Sequence, residues 1–215
     1  MWTLTEEAQQ LLTPTDAINL LKEGNKRFVN NLKINRNLLQ QMNETSDGQY
    51  PFAVILSCID SRTSAELIFD QGLGDIFSIR IAGNILNDDI LGSMEFACKL
   101  AGSKLIAVLG HTKCGAIHGA CKDVKLGNLS TLLEKIEPAI HLVKQRNPHQ
   151  HKLDVDFINT VTQVNVDLVI NNILQKSPII HDLVKQEKVG IIGGIYNADN
   201  GQVEFNEDRK ISASS

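Results

Sequence analysis

Two cysteines and one histidine are the residues of this sequence whose types and spacing are best suited to chemistry. Cys58 directly follows an apolar run, and His111 and Cys114, separated by two residues, follow another. Two thiolates and an imidazole form a soft sulfur-and-nitrogen donor set that suits zinc and disfavours magnesium or calcium. The alternative is that the cysteines pack as small apolar side chains beside an ordinary polar histidine, and a His-x-x-Cys pair alone is a weak signal. The three positions together predict a zinc site.

The fourth zinc position decides between a structural and a catalytic site, because structural sites close it with a protein ligand and catalytic sites leave it for water. Asp60, two residues after Cys58, is the nearest candidate. On extended backbone, residues i and i+2 project to the same side, so Asp60 can face the metal and Arg62 can hold its carboxylate. Held in this way, Asp60 accepts a hydrogen bond from the fourth ligand; released, it binds zinc and closes the site. A further alternative is an exposed Asp–Arg pair of little energetic value.

An open zinc site with two cysteines and one histidine lowers the pKa of its water toward about 7 and so generates hydroxide at near-neutral pH. The sequence contains no phosphate-cradling loop and no basic groove, which favours a small electrophile over a large substrate. The residues alone therefore predict hydroxide attack on a small electrophile, and they do not select which one.

The elements that must position these residues alternate between strands and helices. Short continuous apolar runs predict buried strands at 52–56, 76–81, 105–109 and 189–196, the third ended by Gly110. Helical patterns occupy 64–69, 88–100, 130–146 and 155–176, and the turn at Asn200-Gly201 returns 203–205 as a strand. The predicted fold class is α/β, with a mostly parallel four-stranded sheet, a short antiparallel C-terminal edge strand and helices on both faces. Ligands of such sheets bind beyond the carboxyl ends of the strands, here 57–62, 82–84 and 110–114.

We predict one domain over residues 1–215, with an N-terminal helical arm at 1–45 and an α/β core at 50–206. In the arm, Thr13-Pro14 ends one helix and Thr15 or Asp16 caps the next. A single apolar stripe follows at roughly helical spacing: Ile18, Leu21, Phe28 and Leu32. Because such an arm cannot bury much against itself, it must lie on the main body or on a second subunit, and we expect a homodimer at least.

Composition excludes several classes of protein. The 215 residues include 21 Lys and Arg against 25 Asp and Glu, a net charge of −4, so no nucleic-acid partner is expected. The apolar runs are too short to span a bilayer, and the first thirty residues are acidic rather than signal-like, which predicts a cytoplasmic protein with no membrane partner. Four cysteines in a chain of this length do not make a disulfide scaffold.

Three motifs resemble those of the beta-class carbonic anhydrases: Cys58-Ile59-Asp60-Ser61-Arg62, Arg80-Ile81-Ala82-Gly83-Asn84 and Gly110-His111-Thr112-Lys113-Cys114-Gly115. The similarity extends from about residue 24 to residue 205. The resemblance implies one zinc ion per chain, held by Cys58, His111 and Cys114, and a catalytic Asp60–Arg62 dyad. The implied reaction is the reversible hydration of carbon dioxide to bicarbonate and a proton.

The resemblance also implies three substrate-binding residues. Gln49, nine residues before Cys58, matches a plant-type glutamine that stabilises the developing bicarbonate oxygen from the neighbouring subunit. Phe77 matches an aromatic residue of the substrate pocket, and the backbone N–H of Gly115 faces the substrate. One position departs from the plant type, because Phe96 stands where those enzymes carry a tyrosine. The family forms dimers and dimers of dimers, so a homodimer or homotetramer is implied.

Two other functions remain open on the sequence. Related proteins hydrolyse carbonyl sulfide or carbon disulfide on the same fold, and loop differences control that choice. A non-catalytic zinc- or bicarbonate-binding module, with Asp60 as the permanent fourth ligand, is the alternative from another class. Because a closed structural site needs neither Arg62 nor Gln49, we predict the open form at near-neutral pH.

Overall fold

A computed structural model describes residues 3–146 and 154–207 of the chain. Its centre is a five-stranded sheet of β1 (Ala53–Ser57), β2 (Ile76–Arg80), β3 (Leu105–His111), β4 (Gly190–Tyr196) and β5 (Val203–Phe205). The strand order is β2-β1-β3-β4-β5, with β1 to β4 parallel and β5 antiparallel to β4. The predicted fold class, including the antiparallel C-terminal edge strand, is confirmed.

Helices cover both faces of the sheet because alternate residues of the central strands point to opposite sides. In β1, Val54 and Leu56 belong to one apolar cluster, and Ala53 and Ile55 belong to the other. The first cluster includes residues of α5 (Asp88–Glu95), α9 (Val155–Lys176) and α10 (Pro178–Lys185). The second includes residues of α2 (Pro14–Val29) and α4 (Ala65–Ile68). Burial of every residue of β1 and β3 explains why both strands appear in the sequence as continuous apolar runs.

The other helices are α1 (Glu6–Leu11), α3 (Leu38–Glu44), α6 (Gly115–Cys121), α7 (Gly127–Glu134) and α8 (Glu137–Arg146). A π-helical turn, Phe96–Leu100, extends α5, so the two together match the predicted helix at 88–100. A 3-10 turn, Ala82–Asn84, follows β2. No helix in the described part of the chain is both long enough and apolar enough to cross a membrane.

Three local predictions are wrong. The predicted helix at 130–146 is two helices, α7 and α8, separated at residues 135–136, because apolar periodicity does not reveal where a helix is interrupted. Strand β3 does not end at Gly110 but continues to His111. Gly110 is needed there because a Cβ atom would lie 2.8 Å from Thr162 Cγ2 of α9. The cap of α2 is Thr13, which forms a capping box with Asp16 at the third helical position, and not Thr15 or Asp16.

The N-terminal helices lie partly on the main body. Ile18 and Leu21 of α2 are buried in the second apolar cluster, whereas α3 exposes three large apolar side chains: Leu38, Leu39 and Met42. The segment between α2 and α3 is fixed by Asp70, whose buried carboxylate accepts hydrogen bonds from Arg27 and Arg36, each at 2.6 Å. Burial raises the pKa of Asp70, but these bonds and the Ile34 N–H outweigh it and hold the pKa below its usual value.

Candidate metal centre

The three predicted ligands come together at the carboxyl edge of the sheet. Cys58 follows the last residue of β1, His111 is the last residue of β3, and Cys114 precedes the first residue of α6. Because β1 and β3 are parallel neighbours, their carboxyl ends meet at the same edge. The ligand atoms all lie within 4.8 Å of one another, the two Sγ atoms are 3.9 Å apart, and all three residues are buried. This arrangement is compact enough to hold one metal ion.

The histidine is prepared for a metal at its Nε2 atom. His111 Nδ1 lies 2.9 Å from the carbonyl oxygen of Thr112, an acceptor, so Nδ1 carries the proton and Nε2 has a free lone pair. Nε2 is buried and has no hydrogen-bond partner among the described residues. A buried polar atom without a partner is costly unless something binds it. The orphaned nitrogen beside two thiols fits zinc, whose preferred ligands are these atoms.

The protein environment favours a thiolate at Cys58. A hydrogen bond from Cys114 is the largest cause that lowers the pKa of Cys58, to about 4, and the Asp60 and Gly83 N–H groups act in the same direction against the effect of burial. The same sulfur pair raises the pKa of the Cys114 thiol. Zinc takes both sulfurs as thiolates, so its binding would release the protons that the two thiols carry.

The Asp60–Arg62 pair forms next to these ligands. Arg62 donates to Oδ1 of Asp60 from Nε at 2.9 Å and from its backbone N–H at 3.0 Å, and to Oδ2 from Nη2 at 2.8 Å. The side-chain bonds from Arg62 hold the pKa of the Asp60 carboxyl well below its usual range. The sequence-based reason for the pairing is wrong, because the backbone is a turn in which Thr63 N–H donates to Asp60 O, and not an extended segment.

The loop that carries Cys58 and Asp60 has contacts that sequence reasoning missed. Arg80, at the end of β2, donates from Nε to Cys58 O at 3.1 Å and from Nη2 to Asp60 O at 2.6 Å. Gly83 N–H lies 3.4 Å from Cys58 Sγ, and the buried Asn165 of α9 donates to Gly83 O at 3.0 Å. The motif at residues 80–84 was the available signal for Arg80 and Gly83, whereas Asn165 has none in the sequence.

The three expected substrate-binding residues lie in different places in a single chain. Gly115 lines a cavity of about 480 Å³ together with Cys114. Phe77 lines a different cavity, of about 720 Å³, with Phe96, and the two rings pack edge to face at 6.2 Å. Since Phe77 pairs with a residue four positions before Cys58, it lies roughly 13 Å along the sheet from that ligand. Gln49 is exposed before β1 and is not among the residues that line either cavity.

The fold and the site define a class: an α/β protein with a zinc site of two cysteines and one histidine at the carboxyl edge of a parallel sheet. The sequence profile of the carbonic anhydrase family matches residues 53–203. "Carbonic anhydrase 2" of Mycobacterium tuberculosis is 32% identical over 201 residues, which cover 88% of this chain and 91% of that protein. The carbonic anhydrase of Mycolicibacterium smegmatis is 30% identical over 198 residues, 89% and 93% of the two chains.

Solved structures agree with these sequence matches. The beta-carbonic anhydrase CcaA superposes with a TM-score of 0.71 at 29% identity, over 89% of this chain and 95% of that one. One of two tetrameric beta-carbonic anhydrases from Sordaria macrospora superposes at 0.72 over 90% and 95% of the chains; at 21% identity it supports the fold alone. The chain belongs to the beta-class carbonic anhydrase family.

Proposed function

We propose that this chain catalyses the reversible hydration of carbon dioxide to bicarbonate and a proton, with zinc held by Cys58, His111 and Cys114. The observation that carries the proposal is the position of Asp60, whose two oxygens are both bound by Arg62 beside a buried donor set of three ligands. A carboxylate engaged in this way would not serve as a fourth ligand, so a zinc ion held by the three residues would keep one position open. The structure therefore supports an open site over a closed one.

Zinc, when bound, makes water a usable nucleophile at near-neutral pH. The role of Asp60 is to orient that nucleophile by accepting its hydrogen bond. Because its pKa lies well below the usual range, Asp60 stays ionised at neutral pH and remains an acceptor. Arg62 fixes the carboxylate plane through two bonds of its fork, which a lysine could not reproduce.

The remaining groups would bind the substrate. Gly115 lies at the first position of α6 beside Cys114, and its N–H can donate to an oxygen of bicarbonate. Gln49 and Phe77 would act on the site of a partner subunit, since neither reaches the zinc ligands of its own chain. Phe77 and Phe96 give the second cavity an apolar wall, which suits carbon dioxide.

A homodimer or homotetramer is part of this proposal. The exposed apolar side chains of α3 and the half-exposed Phe96 are surfaces that a second copy could cover. We place the protein in the cytoplasm, because the four cysteines are free thiols and the proposed ligands Cys58 and Cys114 must stay reduced.

The test is stopped-flow hydration of carbon dioxide from about pH 6.5 to about 9, with zinc measured on the same sample. We expect one zinc per chain and fast, zinc-dependent hydration near pH 7.5. Stoichiometric zinc with no hydration below about pH 8 would indicate that Asp60 closes the site. If the protein hydrolyses carbonyl sulfide and does not hydrate carbon dioxide, carbonyl sulfide is the substrate instead.

A further inference from the structure

Arg80 joins the metal-binding loop to the neighbouring strand. It is the last residue of β2 and lies in register with Ser57, the residue before Cys58. We propose that Arg80 is a positioning residue: its two hydrogen bonds fix the Cys58–Asp60 backbone relative to the sheet, and so set both zinc affinity and the direction of Asp60. The inference rests on the proposed function, since it concerns how the same site is held.

Most other hydrogen bonds of this loop lie within it, and the contacts from Gly83 N–H and Cys114 Sγ meet the Cys58 sulfur rather than the loop backbone. Arg62 and Thr63 bind Asp60 and Cys58, but they belong to the same loop and move with it. Bonds within a segment define its shape, whereas its placement needs contacts from another element. Among the described residues, the side chain that reaches the loop carbonyls from outside is Arg80.

Two observations make Arg80 suited to this task. Its planar guanidinium donates in two directions at once, to Cys58 O and to Asp60 O, so it spans the ligand and the carboxylate-bearing residue together. The bond to Asp60 O, at 2.6 Å, is short for an N–H···O hydrogen bond, and its donor carries a positive charge. An arginine loses considerable rotamer freedom when it is held in one geometry, and the two bonds offset that loss.

The strand behind Arg80 is itself fixed. Ile81 N–H donates to Ser57 O at 3.0 Å, which continues the β1–β2 ladder one step beyond the strand. Gly83 N–H approaches Cys58 Sγ, and Asn165 holds the Gly83 carbonyl. Arg80 therefore ties the loop that carries Cys58 and Asp60 to the fixed end of β2, because most other hydrogen bonds of this loop lie within the loop itself.

The experiment compares Arg80→Met, which keeps the length of the side chain and removes every donor, with Arg80→Lys and the control Arg146→Met. Arg146 is an exposed arginine at the end of α8, away from the ligands in the sequence. Zinc affinity is measured by competition with a chromogenic chelator. We expect affinity about tenfold weaker in Arg80→Met, partial recovery in Arg80→Lys and no change in the control, as for other residues that orient metal ligands.

Kinetics on zinc-saturated protein separate positioning from folding. Because Arg80 does not touch the substrate, kcat for hydration should fall by about tenfold while KM stays near the wild-type value. The thermal midpoint should stay near that of the wild type, because the Arg80 side chain is exposed.

Unchanged zinc affinity in Arg80→Met would overturn the inference. An equal loss of zinc affinity in the control Arg146→Met would do the same. So would a fall in kcat of Arg80→Met that is accompanied by a lower thermal midpoint, because it would reflect a less stable fold. The two proposals fail differently. Wild-type protein that binds zinc but hydrates no carbon dioxide refutes the proposed function, whereas the comparison of zinc affinities still decides the role of Arg80.

Discussion

Replacing Asp60 with asparagine tests whether the Asp60–Arg62 pair serves catalysis or merely stabilises the fold. The change keeps the shape of the side chain but removes its charge and puts an amide nitrogen against a donor of Arg62. Arg62 is 48% exposed and Asp60 18% exposed, so the lost pair is close to a surface ion pair. The free energy of unfolding should therefore fall by no more than about 1 kcal/mol.

The effect on catalysis should be much larger. Asparagine can present its nitrogen where the acceptor was, so the nucleophile loses the group that orients it. Loss of one preorganised hydrogen bond in an active site typically reduces kcat about 100-fold, which corresponds to about 2.7 kcal/mol at the transition state. The expected signature is a large kinetic loss in a protein that folds and binds zinc normally.

The assay combines stopped-flow hydration, zinc content and urea denaturation on the same preparations. Asp123→Asn is a matched control, because Asp123 also pairs with a cation two residues later, Lys125 at 2.9 Å, on an exposed turn. It should leave kcat unchanged. The reasoning is refuted if Asp60→Asn keeps kcat within about threefold of the wild type, or if it loses zinc, since Asp60 would then be a ligand or a structural residue.

Three further predictions concern the metal, an ion pair and a close contact. Cys114→Ala should abolish stoichiometric zinc binding and hydration, measured by metal analysis and stopped flow. Asp70→Asn should lower the free energy of unfolding by about 3 kcal/mol at pH 7, because it leaves Arg36 buried without its anion. The pKa of Asp70 is lowered in the folded state, so the ionised carboxylate stabilises the protein above about pH 4, and this contribution is lost as the pH falls further. In urea denaturation, the difference in free energy of unfolding between wild type and Asp70→Asn should therefore become smaller below that pH. Gly110→Ala should cost about 1–3 kcal/mol in the same assay, because the new methyl group meets Thr162.

The sequence was sufficient to predict the metal ligands, because these residues lie close together along the chain or follow a buried strand. Cys58, His111 and Cys114 could be grouped because each lies at the end of an apolar run, and parallel strands bring such ends to one edge. The continuous burial of β1 and β3 made those runs visible. The family motifs then supplied the reaction, which the residue types alone did not select.

Sequence reasoning failed where a residue's role depends on a distant neighbour. Gly110 looked like the end of a strand, but its lack of a side chain is explained by Thr162, some fifty positions later, which packs against it from α9. Arg80 could not be assigned a role because its contacts with Cys58 and Asp60 arise from the register between β1 and β2. Because β1 is buried on both faces, its sequence lacks the apolar–polar alternation that would specify the register.

The metal centre has two parts, His111 with Cys114 and Cys58 with Asp60, and different interactions hold them in place. This difference determines which substitutions the protein tolerates without unfolding. His111 belongs to a strand buried along its whole length, and Cys114 leads directly into α6, so their positions follow from the packing of the sheet. Cys58 also follows a buried strand, but the turn that joins it to Asp60 depends on hydrogen bonds from Arg62 and Arg80, two side chains largely at the surface. Substitutions around the first part should therefore affect stability and zinc together. Substitutions of the two arginines should affect zinc affinity and turnover in a protein that still folds, because little apolar burial is lost with them.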